Sequence, residues 1–122
     1  MTKCLLFVVV VDKGSGENMG FTLLQHRNPL DRNAEIGIAI GQKWWGKGYG
    51  TEIMSWLIPY AFRGLSQHRL SLHVWRSNSR ALKMYEKLGF KQEGCIRGAV
   101  WKDGKWVDTL WFGLLADEYK PS

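Results

Sequence analysis

The chain has 122 residues, 45% of them apolar, and its 17 Lys and Arg outnumber 11 Asp and Glu to give a formal net charge of +6. That length and apolar share describe one domain, residues 1–122, with a real but small core. No apolar run is long enough to span a bilayer, and two cysteines, Cys4 and Cys95, are too few for a disulfide framework.

Both cysteines read as small core residues in a reducing compartment, cytosol or nucleus. No His or Cys lies at ligand spacing, so no metal site is expected. The basic residues (Lys43, Lys47, Arg63, Arg69, Arg76, Arg80, Lys83 among them) are scattered rather than gathered in a run. The charge therefore suits a polyanionic small molecule, with a nucleic-acid-binding basic domain as the lesser alternative. Tryptophans can stack on bases, but several here fall in alternating segments that would bury one face.

In chain order, Cys4-Val11 is β-branched and apolar, a strand that begins without the basic-then-apolar pattern of a signal peptide. Asp12-Asn18 supplies turn residues and Met19-Gln25 returns as the second strand of a hairpin. His26-Asn33 is a polar loop, and Ala34-Ile40 alternates as a third strand. After a glycine-rich turn, Ile53, Met54, Leu57, Ile58, Ala61, Phe62 and Leu65 recur at helical spacing, with Pro59 set to kink the helix. Gly64 and Ser66 loosen its end. Arg69-Trp75 alternates again, with Leu70, Leu72 and Val74 on one face. Ser77 or Asn78 caps a second helix carrying Ala81, Met84, Tyr85 and Leu88, and Gly89 ends it. Two strands follow, Lys91-Trp101 and Trp106-Leu115, joined by Asp103-Gly104, a hairpin signal. The fold class is α/β (α+β), order β-β-β-α-β-α-β-β: a mixed, mostly antiparallel sheet with two main helices.

The turn Gln42-Lys43-Trp44-Trp45-Gly46-Lys47-Gly48-Tyr49-Gly50-Thr51-Glu52 joins a strand end to a helix start, a natural seat for phosphates. Gly41 to Lys47 nearly matches a nucleotide P-loop. However, Gly48 stands where the magnesium-binding hydroxyl belongs, and no apolar strand ends in a partner Asp. A dinucleotide fingerprint fails as well, because these glycines fall at every second position. The turn alone also fits a tight strand-to-helix connection and nothing more.

Trp45-Gly46-Lys47-Gly48-Tyr49-Gly50-Thr51-Glu52, followed by Asn78-Ser79-Arg80-Ala81-Leu82-Lys83-Met84-Tyr85-Glu86-Lys87-Leu88-Gly89-Phe90, closely resembles the GNAT family of acetyl-CoA-dependent N-acetyltransferases. The tail, with Glu93-Gly94, Arg97, Asp103-Gly104, Asp108, Leu110 and Leu114, resembles the branch of ribosomal-protein N-terminal and polyamine acetyltransferases. The resemblance covers nearly the whole chain. Trp45 replaces the Arg or Gln of many members but is familiar in that branch.

The resemblance implies acetyl-CoA as cofactor, its pyrophosphate held by amides from Gly46 to Thr51 (Gly46, Lys47, Gly48, Tyr49, Gly50, Thr51) beside Trp45. It also implies a pantetheine arm on the main chain of Gly37-Ile40, with Ile38 and Ile40 the chief contacts, and Asn78 alongside. Helix capping alone would equally explain Asn78. Tyr85 matches the tyrosine that protonates the departing thiolate: a thiol titrates near ~8.5 and a phenol near ~10, so the phenol can donate or share that proton. A buried helix-face aromatic is the plain alternative. Glu35 resembles the strand glutamate that serves as base in histone-type members, directly or through water, and equally fits a charged strand start. Arg80 and Lys83 suit either the phosphates or a solvated surface. His26, His68 and His73 carry no partner pattern.

The expected activity is acetyl transfer to a small-molecule or peptide amine by direct attack. The family's usual opening strand and two helices, which wall the acceptor side, have no match ahead of Cys4-Val11. The acceptor half is therefore expected to be open, borrowed from a second chain, or lost; in the last case the chain is a catalytically poor CoA-binding module. The apolar front strand, with nothing before it, is expected to drive self-association, with a homodimer as the simplest form.

Overall fold

The computed structural model describes residues 3–26 and 28–119, without the side chains of Lys3 and Pro29. Arg27, within the loop expected over 26–33, lies outside the described residues. The elements run β1 (Lys3–Val11), β2 (Asn18–His26), β3 (Asn33–Ile40), α1 (Tyr49–Pro59), β4 (Arg69–Trp75), α2 (Ser79–Lys87), β5 (Lys91–Lys102) and β6 (Lys105–Leu115). The fold is mixed α/β with six mostly antiparallel strands and two main helices, in the expected order. It packs as two compact units, residues 1–70 and 71–122, and β4 begins at the end of the first.

In the first unit the strand order is β1-β2-β3, both pairs antiparallel. The β1–β2 turn is set by Asp12, whose carboxylate accepts from the Gly14 amide at 3.1 Å and the Ser15 hydroxyl at 3.0 Å. Gly20 sits opposite Ile40 in register. A Cβ added there would lie 2.0 Å from the Ala39 carbonyl oxygen and 2.9 Å from Ile40 Cα, both main-chain atoms that cannot swing aside. Gly20→Ala should therefore destabilise the chain by about 3 kcal/mol, as overpacking of a tight site does. An unchanged urea midpoint would refute that contact.

Helix α1 buries Met54, Leu57 and Ile58, and Ala61 continues the stripe beyond it. Leu24 and Thr22 of β2 are also fully buried, and Thr22 satisfies its hydroxyl on the Gly37 carbonyl at 2.9 Å. Pro59 has no N–H to continue the α ladder. The helix changes character there: Tyr60–Gly64 forms a π turn, closed by the Leu65 amide on the Tyr60 carbonyl at 3.0 Å. The fault expected at Pro59 takes the form of this π turn, which carries the apolar spacing on toward Leu65. Single π turns of this kind occur mostly within or at the end of α-helices, and here Ala61 stays buried within it.

In the second unit the order is β4-β6-β5. Leu72 and Val74 of β4 are buried as the alternation required. Asn78 caps α2, its Oδ1 accepting from the Ala81 amide at 3.2 Å. Gly89 (φ +98) ends the helix: its amide reaches the Glu86 carbonyl and the Phe90 amide reaches Tyr85, a Schellman closure. Asp103 and Gly104, both at positive φ, make the tight β5–β6 turn.

Two expectations fail on side-chain exposure. Cys4 and Cys95 are exposed, not core. Both sit on the outermost strand of their unit, β1 and β5, where a small apolar side chain need not face inward. Nor do the strand tryptophans of the last hairpin bury: Trp101 and Trp106 are 60% and 66% exposed and pack edge-on to each other.

Candidate cofactor and catalytic site

At the end of β3 a short 3-10 turn, Gln42–Trp44, leads into Trp45, Gly46, Lys47 and Gly48. Gly46 (φ +76) and Gly48 (φ +84) are both left-handed, and Gly48 is the N-cap residue of α1. L-residues pay about 1–2 kcal/mol in this conformation, which is why the sequence alternates glycine here. Tyr49, Gly50 and Thr51 form the first turn of α1, so their amides lack intrahelical partners. A Cβ at Gly48 would meet no atom within 4 Å, so the space beside the turn is open. Exposed amides at a helix start beside open space can hold an oxyanion, and the macrodipole adds to the attraction.

The turn is braced from outside. The Trp45 indole N–H donates to the Ile40 carbonyl at 2.7 Å, a tie between turn and strand that the sequence did not reveal. Lys43 pairs with Glu17 at 2.9 Å. Lys47 is exposed.

Along β3, the Gly41 amide donates to the Met19 carbonyl and the Gly37 carbonyl accepts from Thr22, so the odd-numbered main-chain groups face β2. Strand geometry then turns those of Ile38 and Ile40 to the opposite edge. Glu35 lies on the same strand, half-buried and opposite Gln25. Five residues separate it from Ile40, about 16 Å along an extended strand.

Asn78 and Tyr85 belong to the second unit. Tyr85 is 6% exposed, edge-on to Phe90 with centroids 6.0 Å apart and tilted against Phe112 at 6.5 Å. Burial raises its phenol above the ordinary value of 10.0. The folded chain therefore holds this proton at neutral pH. The stabilisation is fully present below the unfolded value of ~10 and is lost as pH rises through the higher folded one. Alkaline unfolding followed by circular dichroism should accordingly steepen above pH ~10 in the wild type and less so in Tyr85→Phe; identical profiles would remove Tyr85 as the cause.

Of the three histidines, His26 is buried with Nε2 2.7 Å from Gln67 Oε1, while His68 and His73 are exposed and His73 tilts against Trp111. Arg80 and Lys83 are exposed on α2. Sequence reasoning missed Asp108 as a structural centre: it joins Arg76 and Gly98, and only the strand register brings those residues together.

A family model described as the acetyltransferase (GNAT) domain matches residues 2–91. The chain belongs to the GNAT family. Among its relatives is an uncharacterised N-acetyltransferase, p20, of Bacillus licheniformis, 34% identical over 82% of the chain and 54% of the relative. The ribosomal protein uS5-alanine N-acetyltransferase of Escherichia coli is 33% identical over 70% of the chain and 44% of its own length. Among solved structures, the spermidine N-acetyltransferase of Vibrio cholerae in complex with CoA and spermine superposes with a TM-score of 0.83 at 29% identity, covering 93% of this chain and 66% of that one. The chain thus spans roughly half the length of the curated GNAT relatives it matches. The residues matched by the family model include the glycine turn and α2, and the two named activities are those of the branch the tail resembles.

Proposed function

We propose that the chain binds acetyl-CoA and catalyses acetyl transfer to a primary amine. The observation that carries this reading is the pair of left-handed glycines, Gly46 and Gly48, immediately ahead of α1 in a GNAT chain. The residues present fit the cofactor: amides of Gly46 to Thr51 for the diphosphate, with Trp45 bracing the turn through the Ile40 carbonyl and Lys47 adding charge, and the main-chain groups of Ile38 with the Ile40 amide for the amides of the pantetheine arm. Asn78 would flank that arm. Bound acetyl-CoA supplies an acyl group on a thiol leaving group. Glu35, directly or through water, takes the proton from the incoming ammonium so that the neutral amine can attack. As the carbon–nitrogen bond forms and the carbon–sulfur bond breaks, Tyr85 would give its proton to the sulfur and regain one through solvent from the proton that the new amide nitrogen sheds.

The relatives support this acceptor class: one is named for spermidine, which carries primary amines, and one for alanine of ribosomal protein uS5. No helix among the described residues is long and apolar enough to cross a membrane, and the relatives named are bacterial, which favours cytosol over nucleus. A saturating concentration of acetyl-CoA should raise the melting temperature, since a ligand that binds only the folded state stabilises it by mass action. Steady-state transfer to spermidine and to an alanyl peptide then identifies the acceptor. An unmoved melting temperature would sink the reading.

A second reading, a CoA-binding module with poor turnover that associates through β1, is favoured by one observation. Phe7, Val9 and Val11 of β1 and Phe21 of β2 are all exposed, with Phe7 stacked on Phe21 at 5.5 Å. A cleft of about 410 Å³, walled by Val8, Val10, Ile53 and Trp56 among others, opens on the same strand. A strand so placed invites pairing with a second copy. Light scattering distinguishes a dimer from a monodisperse monomer, and turnover distinguishes enzyme from binder.

A further inference from the structure

Strands β5 and β6 lose register between Ile96↔Thr109 and Val100↔Val107. Three residues of β5 (Arg97, Gly98, Ala99) therefore oppose a single residue of β6, Asp108. Gly98 adopts φ +57, and its amide donates to Asp108 Oδ1 at 3.0 Å. The other carboxylate oxygen accepts from Arg76 Nε at 3.1 Å, and the Asp108 carbonyl accepts from the Arg76 amide at 2.9 Å. Arg76 also reaches Cys95 Sγ at 3.6 Å. One side chain thus fills a bulge and ties it to the connection between β4 and α2. A bulge in a strand re-aims what lies beside it, and this one aims a carboxylate.

The tied segment is short. Arg76 is followed by Ser77 and then Asn78, whose amide closes on the Trp75 carbonyl at 2.9 Å and whose side chain caps α2. Tyr85 stands two turns along that helix, its ring against Phe112, four residues beyond Asp108 on β6. Strand β6 therefore holds α2 at two points, its entry through Asp108 and Arg76 and its tyrosine through Phe112.

We propose that Asp108, acting through Arg76, is a positioning residue for the acyl-transfer step: it fixes where α2 begins and hence where Asn78 and Tyr85 are presented. This rests on the acetyltransferase reading above. A bare structural tie would cost stability alone. A positioning role also costs turnover in molecules that remain folded, because small misplacements of reacting groups cost up to ~100-fold.

The test compares wild type with Asp108→Ala, Asp108→Asn and Arg76→Lys at a temperature well below each melting point. Asp108→Ala should lower kcat about 10-fold or more, while the Kd for CoA, set by the glycine turn, moves by less than ~3-fold. Asp108→Asn keeps an acceptor for the Gly98 amide but not the charge on Arg76, so it should fall between. Arg76→Lys, which loses the guanidinium geometry, should resemble alanine. Hydrogen exchange supplies a readout independent of activity: the Ala81 and Leu82 amides should lose protection in Asp108→Ala. Unchanged kcat with a lowered melting temperature would overturn the proposal. If wild type shows no turnover, the acetyltransferase reading fails on its own, and unchanged exchange at the start of α2 would then also overturn the positioning role.

Discussion

Gly48→Val is expected to abolish measurable CoA binding while leaving most of the fold intact. No atom lies within 4 Å of a Cβ built at Gly48, so the loss does not come from a clash within the chain. It comes from the backbone: at φ +84 a β-branched residue is strained, and the chain relieves the strain by rotating the peptide units on either side. Those units carry the amides proposed to hold the diphosphate. A hydrogen bond to a charged group contributes about 1.5–3 kcal/mol, so misdirecting two of them weakens binding by roughly 100-fold or more. Asn tolerates the left-handed region, and Gly48→Asn should therefore retain most of the affinity. Titration calorimetry with CoA separates the cases. A valine variant that binds as tightly as wild type would show that the diphosphate sits elsewhere.

The second large effect is on chemistry rather than affinity. Tyr85→Phe keeps the ring that packs against Phe90 and Phe112 and removes only the hydroxyl. If the phenol protonates the leaving thiolate, kcat should fall by about 100-fold, the scale of a lost general acid. The Kd for CoA should change by less than ~3-fold, because the glycine turn proposed to seat the diphosphate is untouched. Burial raises the phenol's pKa, so the proton is present across the neutral range and the rate should not rise with Tyr85 ionisation below pH ~10. Equal turnover in the two proteins would return Tyr85 to an ordinary core role.

Much of this was legible in the sequence because it depended on neighbours along the chain. The glycine turn, the Asn78 cap and the Gly89 stop each rest on residues within a few positions, and each appears where expected. The periodicity of α1 was also legible, but the consequence of Pro59 was only half visible. A missing N–H predicts a fault in the ladder, not that a π turn will absorb it. The cysteines were misread for a related reason. Residue type sets an average burial, whereas position at the end of the strand order sets the actual one, and strand order is a property of the folded sheet. Asp108 lay furthest from reach. Its partners Arg76 and Gly98 are 32 and 10 positions away, and a one-residue change in register would separate it from Gly98.

The misread cysteines have a practical consequence. Cys4 belongs to the first unit and Cys95 to the second, and both thiols are open to reagents. The native chain therefore carries a ready pair of attachment points for spin labels, one on each unit, with no engineered substitution. Pulsed dipolar spectroscopy between them, with and without CoA, would read any response of the chain to the cofactor as a change in one distance.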